Sequence, residues 1–381
     1  MDLTRPDNLE QAAQTATVDT AVGLPSATPW QLGYRKFRKH RLAMVSAAII
    51  LALYLIAALC EFIAPYTLEH RNVADAFAPP QRLHWREVSG RVHLWPFVYG
   101  LNGVRDPQTL RMFYTEDTTR PLPLRLFIKG EPYKLWGFIP GDRHLFGVDG
   151  VQCYLLGTDR LGRDVFSRIV YGSRVSLTIG LVGVLLSFLL GLFIGGISGY
   201  LGGWVDHGIQ RFIEVVRSFP AIPLWMALTA ALPAWWTPLQ CYFGITLVLS
   251  MIGWTGLARQ VRGKILSLRE EDFVVAATLA GAGKPRIMVR HLLPSFMSHI
   301  IVSLTLAIPN MILGETALSF LGLGLRPPVT SWGVLLKEAQ NVQAVAIYPW
   351  LLAPVIFVML TVLVFNFVGD GLRDAADPYS R

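Results

Sequence analysis

Charge is what this chain has least of. Only 16% of its 381 residues are Asp, Glu, Lys or Arg, and 52% are hydrophobic; a soluble domain carries about a quarter charged residues. That excludes an ordinary soluble enzyme. Cysteine is scarce as well. Cys60, Cys153 and Cys241 are scattered, with no CxxC and no ligand-like spacing, so neither a disulfide framework nor a metal cluster is indicated. Met1 to Ala27 lacks the apolar core of a signal peptide and reads as a disordered cytosolic tail, residues 1–28. The catalytic motifs are missing too. "GAGK" at Gly281 to Lys284 fails as a phosphate loop, because Thr278 stands where a glycine is needed and Pro285 where Ser or Thr is needed. "GGISGY" puts its serine in the wrong place for GxSxG, there is no HExxH, and Pro294 separates His291 from His299. No catalytic residue, resident metal or cofactor is expected. The net charge of +8 fits basic cytoplasmic loops in a membrane chain, and nucleic acid is not expected as a partner.

What is present is a series of apolar runs long enough to cross a bilayer. Six spans are expected: Leu42 to Ile63, Val175 to Tyr200, Ser218 to Ala234, Cys241 to Ala258, Leu293 to Leu321, and Ile347 to Val368. The third is interrupted by Pro220, Pro223 and Pro233. Before the first span, Thr28-Pro29 reads as a cap and proline start for a helix. Trp30, Leu32, Tyr34 and Phe37 alternate there with Arg35, Lys36, Arg38, Lys39 and Arg41, which makes a basic amphipathic helix suited to the headgroups. This elbow and the first span occupy 29–63. The basic cluster places the N-terminus in the cytoplasm, and six crossings return the C-terminus there. The Arg- and Lys-rich loop between spans four and five agrees with that orientation.

Residues 64–157 then form a small extracytoplasmic insertion of mixed α/β structure. In it, Pro123 to Ile139 reads as two short strands turning at Lys129-Gly130-Glu131. "GTDRLGRDVFSRIVYGSRVSL" (Gly157 to Leu177) reads as a capped entry helix, with Thr158 or Asp159 as cap and Arg160 paired to Asp164. It opens the core, residues 158–381. In span two, Ser187, Gly191, Gly195, Gly199 and Gly203 make a small-residue stripe suited to close helix packing. Glu315 is the single acid well inside a span, preceded by Pro309 and Asn310. Two readings stand: a pore or gate position, or a glutamate hydrogen-bonded to a loop near the outer interface.

The stretch Ser267 to Pro294 is a capped helix between two spans. Ser267 and Glu270 fit a capping box, and Glu270, Glu271 and Asp272 lie at the positive end of the helix dipole. Phe273 to Ala280 is apolar, with Ala276 and Ala277 near one face, and Gly281 ends it. So short a helix needs a partner surface, either another protein or the bilayer.

These residues resemble a known family. "VAA" (Val275 to Ala277), Gly281 and "HLLP" (His291 to Pro294) are similar to the EAA loop of permease subunits of binding-protein-dependent ABC importers, with Val275 in place of the glutamate and His291 in place of the isoleucine. "ETALSFLGLGL" (Glu315 to Leu325), "FVGDGLRDAADP" (Phe367 to Pro378) and the Gly157 to Leu177 stretch resemble the C-type permease of the dipeptide/oligopeptide (peptide, opine, nickel) branch. The resemblance implies an all-α polytopic protein of the type I importer kind in a bacterial inner membrane. It implies half of a pore completed by a second, homologous permease. It implies two ATPase subunits, which hold ATP and Mg and dock on the 267–294 loop, and an extracytoplasmic binding protein that delivers di- or oligopeptides, with an opine or galactoside as the alternative cargo. A secondary transporter would instead show midplane ionisable residues in paired halves, and no halves repeat. A membrane enzyme would need a converging nucleophile and base.

Overall fold

The computed structural model describes residues 29–108, 111–326 and 328–376. The expected tail and the Thr28 cap lie outside the described residues. The chain opens with α1 (Pro29–Lys39) and α2 (Arg41–Ala58), then a single turn α3 (Cys60–Ile63). Five strands follow: β1 (His84–Arg86), β2 (Val92–Arg105), β3 (Met112–Pro123), β4 (Arg125–Leu135) and β5 (Ile139–Gly147). The rest is helical: α4 (Val165–Leu201), α5 (Gly203–Ser218), α6 (Ala221–Ala230), α7 (Pro238–Leu268), α8 (Asp272–Leu279), α9 (Met297–Phe320), α10 (Trp332–Glu338), α11 (Val342–Ile347) and α12 (Ala353–Ala376).

Among the described residues, five helices are long and apolar enough to cross a membrane: α2, α4, α7, α9 and the segment Pro349–Ala376. The sixth crossing differs from expectation. It is the pair α5 and α6, bent by 87°, and not a helix over Ser218 to Ala234. The chain breaks at Phe219-Pro220, where proline disfavours helical geometry in the residue before it. That the pair does cross follows from the direction of its neighbours. A Cβ on Gly191, Gly195 or Gly199 of α4 would meet Trp254 and Leu257, Ala258, and Arg262 and Ile265 of α7, in that order. Numbers rise together on both helices, so α4 and α7 are parallel and the chain must return between them. By the same logic α9 is antiparallel to α4, since Gly180 faces Ile312 while Ser176 faces Glu315.

The crossings thus alternate. The N-terminal helix, the α8 loop and the end of α12 share one end of the bundle, with Gly33 against the Ala375 carbonyl. The strands occupy the other end. α4 and α7 run well beyond the expected Val175 to Tyr200 and Cys241 to Ala258, because their polar end turns remain helical. The buried core joins α2, α4, α9, α10 and α12 around Trp332, Ile169, Leu177 and Ile312.

The insertion is built of strands. β1, β2 and β3 form one antiparallel sheet, and β4 with β5 a second. Its helical content among the described residues is one 3₁₀ turn, Val73–Asp75. The expected turn at Lys129-Gly130-Glu131 is instead mid-strand, with Lys129 opposite Arg143. The hairpin reverses at Trp136 and Gly137, both with left-handed φ, +56° and +83°. Gly130 answers a different need: a Cβ there would lie 2.5 Å from the buried His144 ring.

Glu131 ties this hairpin to the segment after α3. Its carboxylate accepts from the Thr67 hydroxyl at 2.7 Å and faces the His70 ring. Partial burial works against the charged form, but the Thr67 and His70 hydrogen bonds outweigh it and hold the Glu131 carboxyl below its usual range. A depressed carboxyl contributes stability that is full above its unfolded-state value and is lost as pH falls through the folded one. Acidification below the ordinary carboxylate range is therefore expected to loosen β4 and β5. Glu131→Gln should loosen them already at neutral pH and flatten that response. Amide exchange over 125–147, corrected for intrinsic rates, reads this; an unchanged pH profile in the variant would contradict it.

Candidate functional site

Two clusters carry the residues singled out above, at opposite ends of the bundle. The first is α8 and its flanks. The expected capping box does not form. Ser267 is consumed by the last turn of α7, and α8 starts from Glu271, whose side chain makes no cap bond. Asp272 lies in the first turn, and Glu270 and Glu271 are exposed beside it. The C-terminus is a Schellman motif. Ala282 N–H donates to the Ala277 carbonyl and Gly281 N–H to Thr278, both at 3.0 Å, with Gly281 at φ +79°.

Val274 alone on α8 is fully buried, in a cluster with Val261, Ile265, Ile287, Leu292, Phe296 and Ile300. Phe273, Val275, Ala276 and Leu279 face outward, with Leu279 84% exposed. The helix is thus fixed by one edge and presents an apolar, small-residue face flanked by three acids. After it, Ile287–Leu292 forms a wide π-helical turn leading to the exposed Pro294. Pro294 has no N–H to give and crowds the carbonyl four residues back, and the wider turn accommodates both.

The spans that hold α8 are tightly coupled. Gly191, Gly195 and Gly199 bring α4 against the backbone of α7. Gly203 departs from that stripe: it begins α5 at φ +55°, with nothing near its Cβ position. Asp206 of α5 binds Arg262 of α7 at 2.6 Å and also accepts from Ser198. Sequence reasoning missed this pair, which lies 56 residues apart along the chain.

The second cluster surrounds Glu315, which is 0% exposed. Its carboxyl accepts from Ser319 at 2.7 Å, Ser331 at 2.6 Å and Ser176 at 3.4 Å. Ser331 also caps α10, and Trp332 N–H donates to Ser176. Glu315 therefore pins the segment after α9 and the start of α10 to α4, the loop-bonded arrangement. Pro309 is buried inside α9; Asn310 is exposed, its amide 3.4 Å from the Leu306 carbonyl. The structure does not bring Asn310 and Glu315 together.

Just beyond lies a network that the sequence did not announce. Asp159 accepts from Arg163 at 2.7 Å and also pairs with Arg168, and both arginines reach Glu338 at 2.9 Å. Asp159 does not cap α4. Asp164 does, accepting from Ser167 N–H at 2.8 Å, and the expected Arg160–Asp164 pair gives way to this cap. Asp159 instead ties the entry loop to α10.

The model for the binding-protein-dependent transport system inner membrane component matches residues 187–381, half of the chain, and takes in α8 and Glu315. The chain belongs to this family. The model for the N-terminal transmembrane domain of oligopeptide transport permease C matches residues 28–80 of the permease. Among curated relatives, a dipeptide transport system permease protein, DppC of Bacillus subtilis, is 31% identical over 95% of this chain and 89% of its own. An oligopeptide transport system permease protein, OppC of the same species, is 29% identical over 99% and 98%. OppC of Haemophilus influenzae is 41% identical over 60% and 71%. The permease is therefore a multi-pass inner-membrane transport component.

Proposed function

We propose that this permease forms half of the translocation pathway of an ATP-driven importer of di- and oligopeptides. A second, related permease supplies the other half. Two ATPase subunits bind ATP and Mg and dock on the 267–294 loop, and an extracytoplasmic binding protein delivers the cargo. The family match and the names of the relatives support the peptide cargo.

The observation that carries the coupling role is α8, a helix buried through Val274 with Phe273, Val275, Ala276 and Leu279 turned outward. A short helix that presents an apolar face is suited to an apolar groove on a partner. Orientation follows from charge: the α8 end carries Arg35, Lys36, Arg38, Lys39, Lys284, Arg286 and Arg290, so it faces the cytoplasm, with α1 and the end of α12 on the same side. Glu315 and Pro309 would hold the gating helix α9 in register, and the exposed Asn310 would face the second permease or the path.

The test is ATP-dependent uptake of labelled di- and oligopeptides by the reconstituted complex. Uptake that requires ATP and binding protein supports the reading. Docked, active ATPases with no peptide uptake would discard the peptide and point to an opine or galactoside, and uptake driven by an ion gradient without ATP would discard the importer class.

A further inference from the structure

Two spans end their charge-free stretches at one level. From α2 into α3 the uncharged run from Leu42 to Cys60 stops at Glu61; the run from Val175 to Val205, through α4 into α5, begins after Arg174. These two boundary charges are paired, Nη1 to Oε1 and Nη2 to Oε2, each at 2.6 Å. Arg174 also donates to the carbonyls of Ala57 and Ala58 at 2.8 and 3.0 Å, closing the end of α2. Charges flanking a span sit where hydrocarbon gives way to headgroups. The pair therefore marks the bilayer boundary on the insertion's side.

The β4–β5 turn lies against this mark. The Trp136 ring centroid is 4.5 Å from the Arg174 guanidinium carbon, and Trp136 N–H donates to Glu61 at 3.4 Å. Phe127, near the start of β4, meets Phe62 of α3 at 5.9 Å between ring centroids. Held at that height, the turn displays its apolar side chains instead of burying them. Phe138 is 73% exposed, Trp136 54% and Ile139 49%; at the other end of β4, Phe127 is 56% exposed. Phe127 and Trp136 also adopt left-handed φ, +54° and +56°, which disfavours bulky residues. In water such a turn would gain nothing from this display.

We propose that the β4–β5 turn inserts its aromatic residues into the headgroup–acyl boundary of the leaflet on the insertion's side, anchoring the insertion to the bilayer. Lipid is the occupant because the turn continues a surface that already faces it. The outward side of α2, with Leu51, Leu55 and Leu59 exposed, leads up to the Glu61–Arg174 boundary where Trp136 sits. Aromatic rings with a polar atom favour this layer, and the exposed Lys134 next to the turn can reach lipid phosphates by its stem. The inference uses the bilayer boundary and neither the cargo nor the ATPases, so it fails or stands apart from the proposed function.

The test places a nitroxide at Phe138→Cys, with Cys241→Ser, in the assembled complex with otherwise cysteine-free subunits, in phospholipid nanodiscs. The remaining Cys60 and Cys153 are buried. Oxygen partitions into lipid and a neutral nickel chelate stays in water. The label at 138 should show a several-fold higher oxygen-to-nickel accessibility ratio than one at Val88→Cys, a 79% exposed position elsewhere in the insertion. Ile139→Cys gives a second reading if the first variant assembles poorly. A ratio equal to that at position 88 would place the turn in water and overturn the proposal. A label immobilised and shielded from both relaxants would put a protein partner there, and would overturn it as well.

Discussion

Gly195→Leu is expected to separate α4 from α7 and to lower the melting temperature of the folded permease substantially. A Cβ at position 195 would stand 2.4 Å from the Ala258 carbonyl oxygen and 2.8 Å from the Ala258 Cα. Both are backbone atoms, so no rotamer change relieves the overlap. The helices must move apart, and a gap of about 0.5–1 Å already forfeits a quarter to a half of each dispersion contact along the seam. Overpacking a formed core costs about 1–3 kcal/mol, and more where backbone blocks relaxation. At roughly 2–4 °C per kcal/mol the purified permease should melt on the order of 10 °C lower. Gly263→Leu on the same α7 is the control, since nothing lies within 4 Å of its Cβ position. Equal melting of the two variants would show that the stripe is not what holds these spans together.

That stripe was readable because helix periodicity places every fourth residue on one face, and small residues there have a single physical use in lipid. The five uniform spans were readable for the same reason, from charge-free length. The third was not. Its first half contains Asp206, Arg211, Glu214 and Arg217, which a hydropathy reading sends to a loop, whereas the fold neutralises Asp206 with Arg262 and turns Arg211 and Glu214 outward. Only the apolar remainder after the bend was visible. The hairpin turn went astray on Gly130, whose missing side chain makes room for His144 and leaves φ unremarkable. The capping box failed by competition: Ser267 has the right spacing to Glu270, but α7 keeps it as its own last turn. The long-range ion pairs fell outside any sequence window. Glu61 and Arg174 are 113 residues apart, Arg168 and Glu338 170. Only the packing of spans brings such charges together, and one local pattern cannot disclose its distant partner.

Gly281→Val is expected to uncouple transport while leaving the spans folded. Position 281 has φ +79°, and its Cβ direction is empty, so the change meets no neighbour. The cost lies in the backbone. A β-branched residue in left-handed geometry is disfavoured by about 1–2 kcal/mol, and leaving that geometry breaks the hydrogen bonds from Gly281 and Ala282 that close α8. An eight-residue helix has little to set against this, because so short a helix is marginal alone in water and only Val274 anchors it fully. A shift of that size lowers the docking-competent population by roughly tenfold, at 1.4 kcal/mol per decade. ATPase docking and ATP-dependent uptake should fall together by about that factor, while the melting temperature moves little. Gly283→Ala separates the backbone effect from mere bulk in the loop: its φ of −69° suits any residue and its Cβ position is open, so docking should stay near wild type. If Gly281→Val docks and transports as Gly283→Ala does, the left-handed turn does not hold α8 in a docking shape, and the coupling role proposed for α8 loses its support.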